Sequence, residues 1–400
     1  MVSAPLVGLR VLDLTRFVAG SYTTALLASF GADVIKLEVP PEGDPYRAQG
    51  TAKIGDESVL FLSLNSGKRS VALDFRKPEA AEAREALLAT SDFVVENSRP
   101  GSLAAHALDW EGVHERHPSI VYGSISGYGE VGPDAARGGF DLILQAESGV
   151  MSVTGSEDSG PVKVGAPLLD VGAGLSCAVG LLAAHAERVR TGVGAHVSSS
   201  LLEFALSALG TLATAMFVTG SVPGLLGTHS PTFAPYGGFR TQDGWIVLAG
   251  AGSEDLWRRC CTVLGADDLA SDPRFEDNAA RVRNRDELTA ALEATLRTRP
   301  TAEWLARLAE AGVPAAEVRN LAQVFNTEQV RALGGVQELE HPAAGLYRAV
   351  TPPVRTDGAI ATFPRPAPVL GADTRDVLVE VGLSTADVDA LVEKGVAVAA

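Results

Sequence analysis

Cysteine, methionine and tryptophan are scarce in this chain, and aromatic residues make up only 6% of its 400 positions. Cys177, Cys260 and Cys261 are too few for a disulfide framework and lack the spacing of a metal site. The N-terminus has no basic segment followed by a long apolar core, so no secretory signal is predicted. The apolar stretch Phe204–Val218 is interrupted by polar residues and is shorter than the roughly 20 residues of a membrane span. We therefore expect a cytoplasmic protein without disulfides or metal.

Positive charge is also in short supply, since 33 Lys and Arg stand against 49 Asp and Glu, a formal net charge of −16. A chain with this balance has no broad basic face, which excludes nucleic acid as an expected partner. An anionic ligand would need Lys, Arg or helix N-termini placed at its own site. The hydrophobic content of 46% is enough for a large core, so disorder over the whole chain is excluded.

Short apolar strands alternate with helical segments in the first third of the chain. The strand Val11–Leu14, the helix Thr23–Phe30 and the strand Ala32–Glu38 form a βαβ unit. Repetition of this pattern predicts a Rossmann-like open parallel sheet covered by helices, an α/β fold. The predicted loop Thr15–Tyr22 contains one glycine only, so the dinucleotide fingerprint is missing and a nicotinamide enzyme is disfavoured.

The composition changes along the chain and suggests two lobes. We predict that residues 1–200 form the N-terminal part of a large α/β domain and that residues 201–224 are a helix and linker. Residues 225–325 are predicted to form a smaller α/β domain. Residues 326–400 are predicted to be a linker and a C-terminal segment that returns to the large domain.

Asp170 is the only charged residue between Lys163 and Glu187, and its neighbours are small or apolar. A carboxylate there is poorly hydrated, and a helix expected to open at Gly172 or Gly174 offers N–H groups that favour the anion. Desolvation suits a nucleophilic carboxylate, because it removes the water that blunts reactivity. The alternative is a structural N-cap, and the two roles are compatible.

Two polar segments lie at the ends of predicted strands. Asn65–Ser70 contains Lys68, and Glu96–Gly101 contains Asn97 and Arg99. Loops at strand ends form the ligand crevice of open α/β sheets, and basic side chains there can bind phosphate. The alternative is that they are solvated turn residues.

A series of motifs in a fixed order resembles the class III CoA-transferase family, which includes formyl-CoA transferases, carnitine CoA-transferases and α-methylacyl-CoA racemases. The matching segments include GLRVLDLTRFVAG, FGADVIKLE, GDPYR, NSGKRSVALD, DFVVENSRPG, GGFDLILQAESG and VGAPLLDVGAG. The resemblance implies a CoA-transferase that moves CoA from an acyl-CoA donor to a carboxylic acid. It also implies an interlocked, ring-like homodimer that has no nucleic acid, membrane or metal partner. Coenzyme A is then a substrate, and no tightly bound cofactor is expected.

The resemblance also assigns roles to residues. Asp170 matches the nucleophile, which forms first an aspartyl anhydride and then an aspartyl-CoA thioester. The implied CoA contacts are Phe17, Ala19, Lys68, Asn97, Ser98, Arg99 and Arg137. The implied substrate contacts are Val18, Asp141, His229 and Tyr236.

The racemases of this family keep the aspartate and pair it with a histidine, but here Phe140 stands at the histidine position. A phenyl ring cannot exchange a proton, so we favour the transferase over a 2-methylacyl-CoA racemase or epimerase. A CoA-binding protein with little catalysis is the other alternative. Val18 replaces a glutamine of several transferases and the glycine-run loop is missing, which argues against formyl-CoA or oxalate specificity.

Overall fold

The computed structural model describes residues 4–400, which form two compact units. Among the described residues, the first unit comprises residues 4–148, Gly165–Gly210 and Thr327–Ala400. The second unit comprises Gly149–Val164 and Thr211–Asn326. Each unit has its own hydrophobic core.

A seven-stranded sheet forms the centre of the first unit. Its six parallel strands are β1 Arg10–Asp13, β2 Asp33–Glu38, β3 Arg69–Leu73, β4 Phe93–Glu96, β5 Val121–Ser126 and β6 His196–Ser200. The order across the sheet is β6-β5-β4-β1-β2-β3, and the short strand Ala397–Val398 is added antiparallel beside β3. The predicted α/β fold with a mostly parallel central sheet is confirmed.

Helices cover this sheet because the strands are apolar on both faces and must be buried on both. The helices before residue 210 are α1 Ala19–Ser29, α2 Val59–Asn65, α3 Ala81–Ala89, α4 Trp110–Arg116, α5 Asp141–Glu147, α6 Leu168–Thr191 and α7 Leu201–Ala208. The C-terminal helices Thr374–Glu380 and Thr385–Glu393 also belong to the first unit. Their apolar residues join the same core as β1, β2 and β3.

A β-hairpin that the sequence pattern did not reveal pairs Val336–His341 with Gly345–Val350. Leu339 and Tyr347 of the hairpin pack with Phe61 of α2 and with Phe363. The sharp turn at Gly345, with φ +72°, provides the left-handed backbone that the hairpin needs.

The second unit is built on a three-stranded antiparallel sheet of Tyr236–Arg240, Trp245–Ala249 and Ala315–Glu317. Its helices are Glu254–Leu264, Asp267–Ser271, Asn278–Arg283, Arg285–Leu296, Thr301–Glu310 and Leu321–Phe325. The core contains Trp257 and Trp304, both almost fully buried. The helix Gly210–Thr219 spans the boundary between the units.

Helix α6 is long and apolar enough, by length and composition alone, to cross a membrane. Core helices of globular proteins pass the same test. Within the first unit α6 packs against α1, α7 and β5, as a core helix does. The sequence pattern had indicated instead that Phe204–Val218 is the main apolar stretch.

Candidate active site

The carboxyl ends of β1 and β4 lie side by side at the point where the strand order reverses. Strand β1 pairs with β2 on one side and with β4 on the other. The connections that leave β1 and β4 therefore diverge and open a crevice, the usual ligand site of an open α/β sheet. The loop after β1 carries Phe17 and the loop after β4 carries Arg99, and both line one cavity of about 460 Å³.

This cavity brings together eight of the residues predicted from the sequence. They are Phe17, Val18, Ala19, Asn97, Ser98, Arg99, Arg137 and Asp170. Arg16, Tyr46, Phe140 and Leu201 also line it. Tyr46 lies in the GDPYR motif, but nothing in that motif indicated that the tyrosine faces the site.

Asp170 occupies the third position of α6. The helix begins at Leu168, and its N-cap residue is Pro167. The proline side chain has no atom that can accept a hydrogen bond from the N–H groups of the first turn. The expectation that the helix opens at Gly172 or Gly174, with Asp170 as N-cap, is therefore wrong. The carboxylate lies inside the first turn, where the cap position is already taken.

Asp141 performs the capping instead, from the neighbouring helix α5. Its Oδ1 accepts the backbone N–H of Leu169 at 2.8 Å and that of Asp170 at 3.4 Å. Two free N–H groups of the α6 N-terminus are thus satisfied by a residue 28 or 29 positions earlier in the chain. Asp141 was predicted to contact the substrate, and that contact stays a prediction. What the structure shows is that Asp141 caps the N-terminus of α6.

The environment of Asp170 favours its neutral form. Burial raises the pKa of its carboxyl group, the negative charge of Asp141 raises it further, and together they bring it from 3.8 to about 7. No group within residues 4–400 donates a hydrogen bond to this carboxylate. A poorly solvated carboxylate with no donor is more basic and more nucleophilic than an exposed one.

Small residues bring the N-termini of α1 and α6 together. A side-chain carbon at Gly174 would lie 2.5 Å from the carbonyl oxygen of Ala19, and one at Gly172 would lie 2.1 Å from the ring of Phe204. The Thr23 hydroxyl donates to the carbonyl oxygen of Gly174 at 2.9 Å. This close packing places Asp170 beside the first turn of α1.

Helix α1 begins at Ala19, four positions before the predicted start at Thr23, so half of the expected loop is helical. The reason is Phe17, whose backbone is left-handed, with φ +62°. The chain turns sharply there and can enter the helix at once. The Tyr22 N–H then bonds to the Val18 carbonyl at 2.8 Å.

Three aromatic rings lie along the cavity wall. The ring of Phe17 makes edge-to-face contacts with Tyr46 at 5.4 Å and with Phe140 at 6.1 Å between centroids. Burial raises the pKa of Tyr46, and the nearby charge of Asp170 raises it further. Phe140 is 65% exposed, which is unusual for a phenylalanine and leaves its ring free to contact a ligand.

Asn97 bridges the two loops. Its Oδ1 accepts the Arg16 N–H at 2.8 Å, and its Nδ2 donates to the Arg16 carbonyl oxygen at 2.6 Å. Both polar atoms of the side chain thus bind backbone and fix the loop that carries Phe17. The predicted contact of Asn97 with CoA stays a prediction.

Lys68 does not line the cavity, and its placement does not support the predicted contact with CoA. The side chain is fully buried, and its Nζ lies 2.9 Å from Asp13 Oδ2. It also donates to Asn65 Oδ1 at 2.8 Å and to the Ser21 carbonyl oxygen at 3.1 Å. Burial raises the pKa of Asp13, but the charges of Lys68 and Lys36 outweigh it and bring the pKa to about 2. Lys68 is therefore part of a buried ion network.

The arginines of the cavity differ in their partners. Arg137 pairs with Glu147 at 2.7 Å and with Asp134 at 3.2 Å. Arg16 and Arg99 form no ion pair within residues 4–400 and are open to an anionic ligand. The backbone N–H of Ser98 donates a hydrogen bond to Glu96 Oε2 at 2.6 Å, which fixes the position of Ser98.

His229 and Tyr236 belong to the second unit. The His229 ring packs edge-on against Phe239 at 5.4 Å, and burial lowers its pKa. Tyr236 is 51% exposed on the strand Tyr236–Arg240. Their predicted contacts with substrate stay predictions. No cluster of three or more His, Cys, Asp or Glu suited to a metal ion occurs in the described range 4–400.

Comparisons with known proteins agree with this architecture. Residues 6–374 match CoA-transferase family III. The chain is 36% identical to a succinyl-CoA:glutarate CoA-transferase of Mus musculus, covering 94% of this chain and 86% of the relative. It is 36% identical to an acetyl-CoA:oxalate CoA-transferase of Acetobacter aceti, covering 82% and 84%.

The solved structure of a CAIB/BAIF family protein from Brucella suis has a TM-score of 0.83 and 34% identity, covering 95% of this chain and 100% of that one. The resemblance seen in the motifs is confirmed. The chain belongs to CoA-transferase family III and is an enzyme of that family.

Proposed function

We propose that this enzyme transfers CoA between an acyl-CoA and a dicarboxylic acid through covalent intermediates on Asp170. The observation that carries the proposal is the Asp170 carboxyl group itself, which lines the cavity, has no hydrogen-bond donor in the described chain and has a pKa raised to about 7. Relatives named for succinyl-CoA:glutarate and succinyl-CoA:mesaconate transfer support the substrate class.

The first step breaks the thioester. An oxygen of the Asp170 carboxylate attacks the acyl carbonyl, a mixed anhydride forms, and CoA leaves as thiolate. The thiolate then attacks the aspartyl carbonyl, which gives an aspartyl-CoA thioester and frees the donor acid. The acceptor carboxylate attacks that thioester to form a second anhydride and thiolate. Attack of the thiolate on the acceptor's acyl carbon releases the new acyl-CoA and restores the carboxylate.

The cations around the crevice fit an anionic substrate. Arg16 and Arg99 are unpaired in the described chain, and each can bind a phosphate or a carboxylate. A second cavity of about 220 Å³ shares Arg16 with the first and is also lined by Arg76 and His106. We propose that it takes the nucleotide end of CoA, with the thiol end reaching Asp170.

A racemase needs two acid–base groups on opposite faces of the α-carbon. Among the described residues that line the cavity, Asp170 is the one carboxyl group, and neither histidine nor lysine accompanies it. Phe140 stands near Phe17 where a second base would be required, and a phenyl ring cannot serve. This composition supports the transferase over the racemase alternative.

We also propose a homodimer, interlocked as the family resemblance implies, and a cytoplasmic location. Several large apolar side chains of α5, α6 and α7 are exposed in the isolated chain. They are Leu142 at 50%, Ile143 at 43%, Leu175 at 42%, Val179 at 61% and Leu206 at 55% exposure. Exposed apolar side chains in this number support burial against a partner subunit.

The transferase proposal is tested with the purified protein, succinyl-CoA as donor and a panel of acids read by mass spectrometry. Glutarate and mesaconate are expected to be acceptors. Oxalate belongs in the panel because of the relative from Acetobacter aceti. The substitution Asp170→Asn should abolish transfer, and the control Asp56→Asn, at an exposed turn, should not. Transfer by Asp170→Asn at the wild-type rate would refute the covalent role.

A trapping experiment tests the intermediate directly. Hydroxylamine attacks an anhydride or thioester carbonyl, so incubation with acyl-CoA should convert the Asp170 side chain to a hydroxamate. The modified peptide should be found in the wild type and in Asp56→Asn. If labelling is found on another carboxylate, or none occurs while transfer proceeds, the proposed nucleophile is wrong.

A further inference from the structure

Asp44 is a buried carboxylate that holds two residues of the cavity wall at once. Its side chain is 1% exposed, and its Oδ1 accepts the backbone N–H of Tyr46 at 3.0 Å and that of Phe17 at 3.4 Å. Its other oxygen, Oδ2, lies 3.0 Å from the Nζ of Lys36. One carboxylate therefore joins the chain segments that carry two of the three aromatic rings.

Lys36 holds the loop that carries Phe17 through a second contact. Its Nζ donates to the carbonyl oxygen of Thr15 at 2.8 Å, and its side chain is fully buried. Burial lowers the pKa of Lys36, but the charges of Asp44 and Asp13 outweigh it and raise the pKa above its ordinary value. The two buried carboxylates therefore favour the charged ammonium group, which forms the ion pair with Asp44.

The loop needs this support because Phe17 has a left-handed backbone, with φ +62°. That conformation is unfavourable for a residue with a side chain, because the Cβ atom crowds the following carbonyl oxygen. The conformation persists only where several contacts with neighbouring residues hold the backbone in place. Such strain is typical of functional sites. Here Asp44 holds the N–H of Phe17, Lys36 holds Thr15, and Asn97 holds both backbone groups of Arg16.

The rings of Phe17, Tyr46 and Phe140 form what we call the aromatic rim. They contact one another edge to face, in a chain centred on Phe17. All three line the cavity that contains Asp170. The negative charge of Asp170 contributes to the raised pKa of Tyr46. Apolar rings at this place reduce the number of water molecules beside the carboxylate.

Water is the competing reactant in the proposed reaction. Attack of water on the anhydride gives two carboxylic acids, and attack on the aspartyl-CoA thioester gives the Asp170 acid and free CoA thiol. Either event consumes the thioester without transferring CoA. An enzyme that works through such intermediates therefore needs a dry site during each turnover.

We propose that Asp44, paired with Lys36, is a positioning residue that fixes the aromatic rim, and that the rim sets the ratio of transfer to hydrolysis. This inference rests on the proposed covalent route through Asp170. Neither Asp44 nor Lys36 lines the cavity of Asp170, so both act on that site through Phe17 and Tyr46. Asp44 also lines the second cavity, which we propose for the nucleotide end of CoA, so the KM for succinyl-CoA is measured beside the ratio of hydrolysis to transfer. The quantity to be measured is the fraction of the covalent intermediate that is hydrolysed rather than passed on in transfer. A purely structural role of Asp44 would leave this fraction unchanged.

The experiment measures free CoA and newly formed acyl-CoA in the same reaction, with succinyl-CoA as donor and glutarate as acceptor. Tyr46→Ala removes a ring of the rim, and Tyr46→Phe keeps the ring as a matched control. Phe17→Gly removes another ring and relieves the strained backbone, since glycine adopts this conformation freely. We expect the ratio of hydrolysis to transfer to rise about tenfold or more in Tyr46→Ala and Phe17→Gly, the scale of effect that misplacement in an active site produces. Tyr46→Phe should leave the ratio unchanged.

Asp44→Asn tests the positioning residue itself. An amide has one oxygen, which can hold the two N–H groups or Lys36 but not both, so we expect a similar rise in hydrolysis.

Circular dichroism and gel filtration establish that each variant is folded. An unchanged ratio in folded Asp44→Asn would overturn the role of Asp44, and an unchanged ratio in folded Tyr46→Ala and Phe17→Gly would overturn the role of the rim. If Asp44→Asn does not fold, Lys36→Met takes its place with the same expected rise. Absence of any transfer by the wild type would instead refute the proposed function.

Discussion

The substitution Asp170→Asn should stabilise the first unit while it abolishes activity, and the gain should depend on pH. Burial and the charge of Asp141 raise the pKa of Asp170 from 3.8 to about 7 in the folded protein. The unfolded chain, in contrast, gives up this proton at an ordinary pKa. Ionisation of Asp170 therefore destabilises the native state, and asparagine cannot ionise.

The magnitude follows from the gap between the two pKa values. One pH unit corresponds to about 1.4 kcal/mol, so the gap between 3.8 and about 7 amounts to roughly 4 kcal/mol. Wild-type stability should fall as the pH rises from about 4 to about 7, because over that window the folded state binds more protons than the unfolded state. The difference between Asp170→Asn and wild type should be near zero at about pH 4 and greatest above about pH 7.

Differential scanning calorimetry at a series of pH values measures this difference. At about 2–3 °C per kcal/mol for a unit of this size, the melting temperature of Asp170→Asn should exceed that of the wild type by roughly 8–12 °C at high pH. Asp56→Asn, at an exposed position, serves as the control and should change little at any pH. An equal gain at low and high pH, or a loss of stability at high pH, would refute the argument that Asp170 is held in an unfavourable charge state.

Four further outcomes are expected from the same structure. The rate constant kcat/KM for transfer should rise with pH through about 7 and then level off, because the ionised form of Asp170 is the nucleophile in the proposed reaction. Asp141→Asn keeps a capping oxygen but removes the nearby charge, so this rise should move to lower pH, as a pH–rate profile will show. Lys68→Met leaves Asp13 buried without its main cation and should destabilise the protein by about 3–5 kcal/mol in urea unfolding. Gly172→Ala places a methyl group 2.1 Å from a phenylalanine ring of α7 and should cost about 1–3 kcal/mol in the same assay.

The alternation of short apolar strands with helices was enough to predict the sheet, because this pattern is local in sequence. Strand β2 was predicted to start one residue early, at Ala32 rather than Asp33. The start of α1 was missed by four positions, since it depends on the left-handed backbone of Phe17. A positive φ at a phenylalanine is imposed by Asp44 and Asn97, which are distant in sequence and give no local signal.

The charged residues show the same limit more sharply. Asp170 could be found because a lone carboxylate in an apolar stretch is visible in the sequence. The buried position of Lys68 could not be predicted, because its partner Asp13 lies on another strand and holds the Lys68 side chain away from the cavity. Local sequence thus identifies a chemically unusual residue, whereas the direction in which a charged side chain points is decided by tertiary contacts.

The N-terminus of α6 explains why two carboxylates so close together can behave differently. A helix N-terminus ordinarily stabilises an anion and lowers its pKa, because free N–H groups point at it. Asp141 takes the N–H groups of Leu169 and Asp170 for itself, so the Asp170 carboxylate gains little from the helix and is repelled by its neighbour. One carboxylate is thereby satisfied and structural, and the other is left basic in the cavity. The same logic predicts that relocating the cap, for instance by Pro167→Ser with Asp141→Ala, should restore the helix end and lower the pKa of Asp170, which a shift of the pH–rate profile to lower pH would reveal.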